Sequence, residues 1–170
     1  MTPRLAMCGG VLVAALTGGC AVEVPFDAAW NLPVAGPPGA LALDVPMDLT
    51  EQPVWARRDT IGEVRVELVE VKVVAIGARN RAASAVLGLR YRPEGVDSSA
   101  DLELVLLEPV VLPLEVDATV QVEAPSGLGE AVRELLGGSG RFTLAVEGRA
   151  EAPVEATVEL SMHGAAVVAP

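Results

Sequence analysis

The chain is poor in aromatics, lysine, histidine and cysteine, and each shortage removes a class of function. Aromatic residues make up 3% of its 170 residues. Tyr91 and the two tryptophans are too few for a sugar-binding platform or a nucleobase stack. His163 is the only histidine, and it falls on the outward phase of the last alternating segment. A catalytic triad needs a base beside a nucleophile, and no Ser or Cys is tied to His163 by any motif, so it reads as a solvated structural histidine. Two cysteines, Cys8 and Cys20, cannot make a disulfide framework. There is no phosphate-binding Walker loop, no dinucleotide-binding glycine motif and no Gly-x-Ser-x-Gly elbow; the GGSG at 137–140 reads as a helix stop. Beyond residue 20 no apolar run approaches the roughly 20 residues that a spanning helix needs.

What remains is an aliphatic, acidic chain. Hydrophobic residues make up 51% of it, so a core must be built from Val, Leu and Ala. The length suits one domain plus a processing segment, with enough core to need neither disulfide nor metal. Removing residues 1–19 takes away Arg4 and no acid, which leaves 11 basic residues against 23 acidic ones, a net charge of −12. Such a surface repels phosphate backbones, so nucleic acid is excluded as a partner, and anionic headgroups are poor ones.

Residues 1–20 read MTPRLAMCGGVLVAALTGGC. Arg4 supplies a positive start, Leu5 to Leu16 form an apolar stretch too short to span, and Thr17, Gly18 and Gly19 lead into Cys20. This resembles the bacterial lipoprotein signal, in which small residues precede a cysteine that receives a diacylglycerol; Thr17 stands where that signal usually has an aliphatic residue. The resemblance implies a signal peptide over 1–19, lipidation of Cys20 and attachment to the membrane through its acyl chains. Cys8 would leave with the signal, so Cys20 would be the one mature thiol. Ala21 after the cysteine implies the outer membrane by the enterobacterial sorting rule, facing the periplasm or the surface.

Residues 20–39 contain Pro25, Pro33, Pro37 and Pro38 with Gly36 and Gly39, and read as a tether onto which Phe26 and Trp30 can pack. Period-2 alternation begins at Leu41 and marks half-buried strands over 40–170. Leu41 to Leu49 share a face, followed by a loop or one helical turn with Thr50 as its cap. Val64, Val66 and Leu68 point inward, then the phase flips at Val69, which predicts a β-bulge. Ala85 to Tyr91 and Leu102 to Leu106 follow. Even positions from Val110 to Ala124 form the longest apolar phase, with Pro113 marking an edge strand or a bend. Ser126 caps a helix whose face is Leu128, Val132, Leu135 and Leu136. Phe142 to Val146 and Val154 to Met162 complete a mostly β chain. The expected fold is an antiparallel β-sandwich of about seven strands, with one short helix between the third-last and second-last.

The succession ATVQVEAP (118–125), LGEAVRELL (128–136) and RFTLAVEG (141–148) resembles the water-stress-and-hypersensitive-response domain of late-embryogenesis-abundant proteins. Asn80 matches the family's Asn-Pro after an early strand, although Arg81 stands where the proline is expected. The resemblance covers about two-thirds of the chain. It implies an immunoglobulin-like sandwich with a protective or interaction role, and transfers no functional residue.

Two acidic pairs have a spacing that chemistry could use. Glu115 with Asp117, and Asp101 with Glu103, stand i,i+2 on one strand face, a conceivable calcium or glycosidase geometry, but solvated strand faces show the same period. The expectation is therefore a non-enzymatic, lipid-anchored envelope protein without metal or cofactor, acting as a structural or interaction module with an envelope protein. The alternative is a carrier holding a lipid or other apolar ligand between its sheets.

Overall fold

A computed structural model describes residues 21–94 and 104–168. Eight antiparallel strands form two four-stranded sheets. They are β1 (Val22–Gly36), β2 (Gly39–Asp48), β3 (Ile61–Ile76), β4 (Ser84–Pro93), β5 (Leu104–Pro113), β6 (Thr119–Glu123), β7 (Arg141–Ala150) and β8 (Val154–Val168). A 3-10 helix (Pro53–Thr60) joins β2 to β3, and the one α-helix among the described residues, α1 (Leu128–Gly137), lies between β6 and β7. Sheet A has the order β1-β8-β3-β6 and sheet B the order β2-β7-β4-β5.

The order has a simple rule. β1 pairs with β8, β2 with β7, β3 with β6, and β4 with β5, so the chain behaves as one long hairpin wrapped around its own core. That is a jelly roll. The immunoglobulin-like order implied by the family resemblance, A-B-E-D against C-F-G, is not the one observed.

The alternation read from the sequence builds the core. Leu144, Val146, Val154, Val158, Leu160 and Met162 are all buried, as are Leu128, Val132, Leu135 and Leu136 of α1. One apolar cluster runs through both sheets and the helix. Gly129 lets α1 sit directly on β3: a Cβ there would lie 2.3 Å from the Val64 carbonyl oxygen.

Four expectations need correction. Val22–Gly36 is a strand, not an irregular tether, and Phe26, Ala28, Leu32 and Val34 are buried on its inner face. Its prolines are tolerated because β1 is an edge. Ala29 exchanges both main-chain bonds with the Gln52 side chain, so odd positions face away from β8, and Pro25 and Pro33 lack only an N–H that would point outward. The run from 110 to 124 is not one strand. It ends at Pro113, turns at Asp117 (φ 71°), and resumes in the other sheet as β6.

The phase change in β3 is present, but the pairing skips Glu67, between Val66 and Leu68. Leu68 therefore lies opposite the outward-facing His163 rather than in the core. Gly164 permits this close approach, since a Cβ there would meet the Arg65 carbonyl oxygen at 1.9 Å. The caps also differ. α1 starts from Gly127 in a left-handed conformation (φ 90°) and the 3-10 helix from Gln52, neither with a side-chain bond, in place of Ser126 and Thr50.

Candidate functional site

Cys20, the lipidation residue, lies outside the described residues, as do residues 1–19 and the pair Asp101 and Glu103. The structure does place the first described residues after Cys20. Ala21 is followed at once by β1, and Val22 lies opposite Val168 of β8, itself opposite Ile61 of β3. Val22 is 56% exposed, so an apolar residue stands at this end of sheet A. Among the described residues, no helix is long and apolar enough to cross a membrane.

The outer face of sheet A is a grid of polar rows. One row crosses Asp27, His163, Leu68 and Glu123; the next crosses Ala29, Ser161, Glu70 and Gln121; the third crosses Asn31, Glu159, Lys72 and Thr119. His163 Nδ1 lies 2.8 Å from Asp27 Oδ1. Ser161, two residues before His163, is buried, and its hydroxyl turns to Glu159 at 3.5 Å. An imidazole held by a carboxylate on one side thus stands near a hydroxyl committed elsewhere, and the nucleophile–base contact of a triad is not made. Glu115 and Asp117 are not on a strand face at all. Both lie in the β5–β6 turn, where Asp117 sits 2.7 Å from Lys72 Nζ and holds that ammonium's pKa above its ordinary value. No group of three or more potential metal ligands converges among the described residues.

The aromatic residues belong mainly to packing. Phe142 meets Tyr91 at 5.2 Å and Trp30 edge-on at 5.7 Å, while Trp55 is covered by Arg58 at 4.7 Å. Burial pushes the Tyr91 phenol up to about 12, with Glu134 adding to the effect.

Between the sheets lies an apolar void of about 10 Å³, bordered by Val71, Leu87, Val110, Val120, Val146 and Val158. Ligand pockets run to about 300–1,000 Å³. In this closed form a carried lipid would require the sheets to part.

The larger concavity is on the outside of sheet B, about 950 Å³ in volume. Its floor is a single cross-strand row, Ala40–Arg149–Val86–Val111, contributed by β2, β7, β4 and β5. The segments 81–84 and 150–152 wall it. Val111 is 59% exposed. Among the described residues Arg149 makes no ion pair, whereas the Arg81 guanidinium donates to the Ala78 and Asn80 carbonyls. An apolar floor with one unengaged guanidinium suits a partner bringing a carboxylate and an apolar side chain together. Sequence reading missed this surface. Its trace was there: Val86 and Val111 are valines on the outward phase of their strands.

No family model matches the chain, and no curated protein matches it. Solved structures of similar shape include a chain of Desmodium yellow mottle tymovirus (8% identity, TM-score 0.40, 95% of this chain and 97% of that one). Others are turnip yellow mosaic virus (11% identity, TM-score 0.38, 99% and 93%) and the decameric BFDV capsid protein (9% identity, TM-score 0.42, 86% and 99%). Likeness at this level carries no argument about function.

Proposed function

We propose that this chain is a lipid-anchored, non-enzymatic envelope protein that works as an interaction module. The observation that carries the reading is the N-terminal order of elements. A short apolar segment and small residues lead to Cys20, the only thiol left after cleavage, and a single residue then separates it from β1. Acyl chains on Cys20 would hold the sandwich against the bilayer with almost no slack, with Val22 at the contact. Two or three acyl chains anchor firmly, at about 0.8 kcal/mol per buried CH₂. The acidic domain adds no electrostatic attraction of its own to anionic headgroups. The jelly roll then serves as a rigid support, and the row Ala40–Arg149–Val86–Val111 is its candidate contact surface.

The test replaces residues 1–20 with a cleavable secretory signal. The parent chain should pellet with membranes, and the replaced chain should fractionate as a folded, soluble protein. If the replaced chain still pellets after a high-salt wash, lipid on Cys20 is not what holds it there.

A further inference from the structure

A β-sandwich has four strand edges, and each presents main-chain groups that can recruit another strand. Three of the four edges here carry a proline where the missing N–H would have pointed outward. On β1 these are Pro25 and Pro33, as the Gln52 bonds to Ala29 establish. On β2, Leu49 N–H donates to the Gly140 carbonyl, so odd positions face β7 and Pro46 faces out. On β5, Leu114 N–H donates to the Ala83 carbonyl, so Pro113 faces out.

β6 has no proline. The Ala118 carbonyl accepts from Val73 and the Ala124 N–H donates to Glu67, so even positions face β3. The main-chain groups of Thr119, Gln121 and Glu123 therefore face the open edge.

We infer that the β6 edge binds an extended segment of a partner protein that alternates basic and apolar side chains. The two faces of β6 specify that pattern. Val120 and Val122 are half-buried at the rim of the core, so a strand laid alongside would place apolar side chains against them. On the other face stand Glu123 and, one strand in, Glu70, which accepts a bond from the Gln121 side chain; Lys72, opposite Thr119, is engaged by Asp117. Added basic residues would be next to Glu123, which makes no ion pair among the described residues, and within reach of Glu70. A second copy of this chain is the poorer occupant. It brings another net charge of −11, and antiparallel self-pairing through a two-fold axis sends the two β1 N-termini to opposite ends of the joined sheet. That arrangement is awkward for two chains anchored to one membrane, a clause that rests on the proposed function; the charge argument does not.

The experiment titrates the full chain in zwitterionic detergent with two labelled seven-residue peptides, one alternating Lys and Val and one alternating Glu and Val, read by fluorescence anisotropy. The Lys/Val peptide should bind, more weakly as salt rises, and the Glu/Val peptide should not. Gln121→Pro, which removes an outward-facing N–H together with the side-chain bond to Glu70 and blocks the approach, should weaken binding about ten-fold or more. Glu123→Lys should weaken it similarly, while Glu159→Lys, two strands away on the same face, should have a much smaller effect. Circular dichroism checks that each variant is folded, and Glu123→Lys keeps the test intact should Gln121→Pro not fold. Equal losses from Glu123→Lys and Glu159→Lys, with none from Gln121→Pro, would mean attraction to an acidic face and overturn the strand reading. A concentration-dependent dimer of the parent chain abolished by Gln121→Pro would make a second copy the occupant, and this proposal would fail. Neither result bears on whether Cys20 holds the chain to membranes.

Discussion

Gly129 and Gly137 lie in the same helix and should answer the same substitution with opposite signs. Alanine in place of a helical glycine ordinarily stabilises by up to about 1 kcal/mol, because it restricts the unfolded chain and favours the helix. At Gly137 nothing lies within 4 Å of the added Cβ, so the ordinary gain applies. At Gly129 the Cβ would stand 2.3 Å from the Val64 carbonyl oxygen and 3.1 Å from its carbon. Comfortable contact begins near 3.5 Å, so α1 must lift by about 1 Å from β3. The contacts of Leu128, Val132 and Leu136 beneath it would loosen together. Overpacking of this kind costs about 1–3 kcal/mol, and against backbone atoms that cannot swing aside the upper part of that range applies, about 2–3 kcal/mol; the helix gain offsets about 1, leaving a net loss of about 1–2 kcal/mol. The two variants should then differ by about 2–3 kcal/mol. At about 2–4 °C per kcal/mol for a domain of this size, that is a gap of about 4–12 °C in melting temperature. Thermal unfolding followed by circular dichroism reads it directly. A Gly129→Ala protein that melts at or above the parent would refute the direct seating of α1 on β3.

Other outcomes follow from the same geometry. Val158→Asp places an unpaired charge in the core and should cost several kcal/mol in urea unfolding, whereas Thr157→Asp beside it on the outer face should shift stability by about 0.5 kcal/mol or less. Tyr91 is the only tyrosine, so ultraviolet titration of phenolate reports on it alone. Its folded pKa is raised to about 12, so the folded state favours the neutral phenol. That stabilisation is complete below the ordinary value of 10.0 and is lost as pH rises through about 12; phenolate absorbance appearing near pH 10 in folded protein would contradict the burial. Glu155 is the opposite case. Bonds from the Arg79 guanidinium and main chain hold its carboxylate below the ordinary 4.5, so its contribution is present above that value and lost as pH falls through the lowered one. Glu155→Gln should flatten that part of the stability–pH profile. In intact cells, a photoreactive residue at Val111 should crosslink to an envelope protein, and Arg149→Glu should reduce the yield; an unchanged yield would remove Arg149 from the contact.

The parts of the fold that were legible are those where one period dominates. β7, β8 and the buried face of α1 follow from alternation or helical spacing alone, because their burial is local to the element. β1 was hidden by its prolines, which signal a break unless the segment is known to be an edge, and edges are set by the order of all strands together. The β5–β6 turn was hidden because the even-position apolar phase runs unbroken through it, and its left-handed residue is Asp117, not glycine. Leu68 was misplaced by a single residue of bulge, which in a period-2 structure is enough to change its face. The candidate surfaces were beyond reach for a different reason. The row Ala40–Arg149–Val86–Val111 and the Asp27–His163 contact join residues far apart in sequence, and only the wrapped hairpin brings them side by side.

The distribution of prolines can be set against that of the anchor. β1 and β6 are the two edges of sheet A, separated by three inter-strand steps, or about 14 Å at the usual spacing. β1 is the edge whose N-terminus would be tied to the bilayer, and it is closed twice over, by Pro25 and Pro33 and by Gln52 bonding to Ala29. If prolines served only to keep copies from aggregating, β6 would be expected to carry one as well, since three of its five residues, Thr119, Val120 and Val122, are strand formers and the two valines stand half-buried at the rim. Among the described residues shortness and one carboxylate protect it, and both are weak against a basic strand while effective against an acidic copy. The open edge therefore discriminates by charge where the other three exclude by geometry. It also lies on the side of sheet A away from the proposed anchor, where a partner can approach without displacing the lipid.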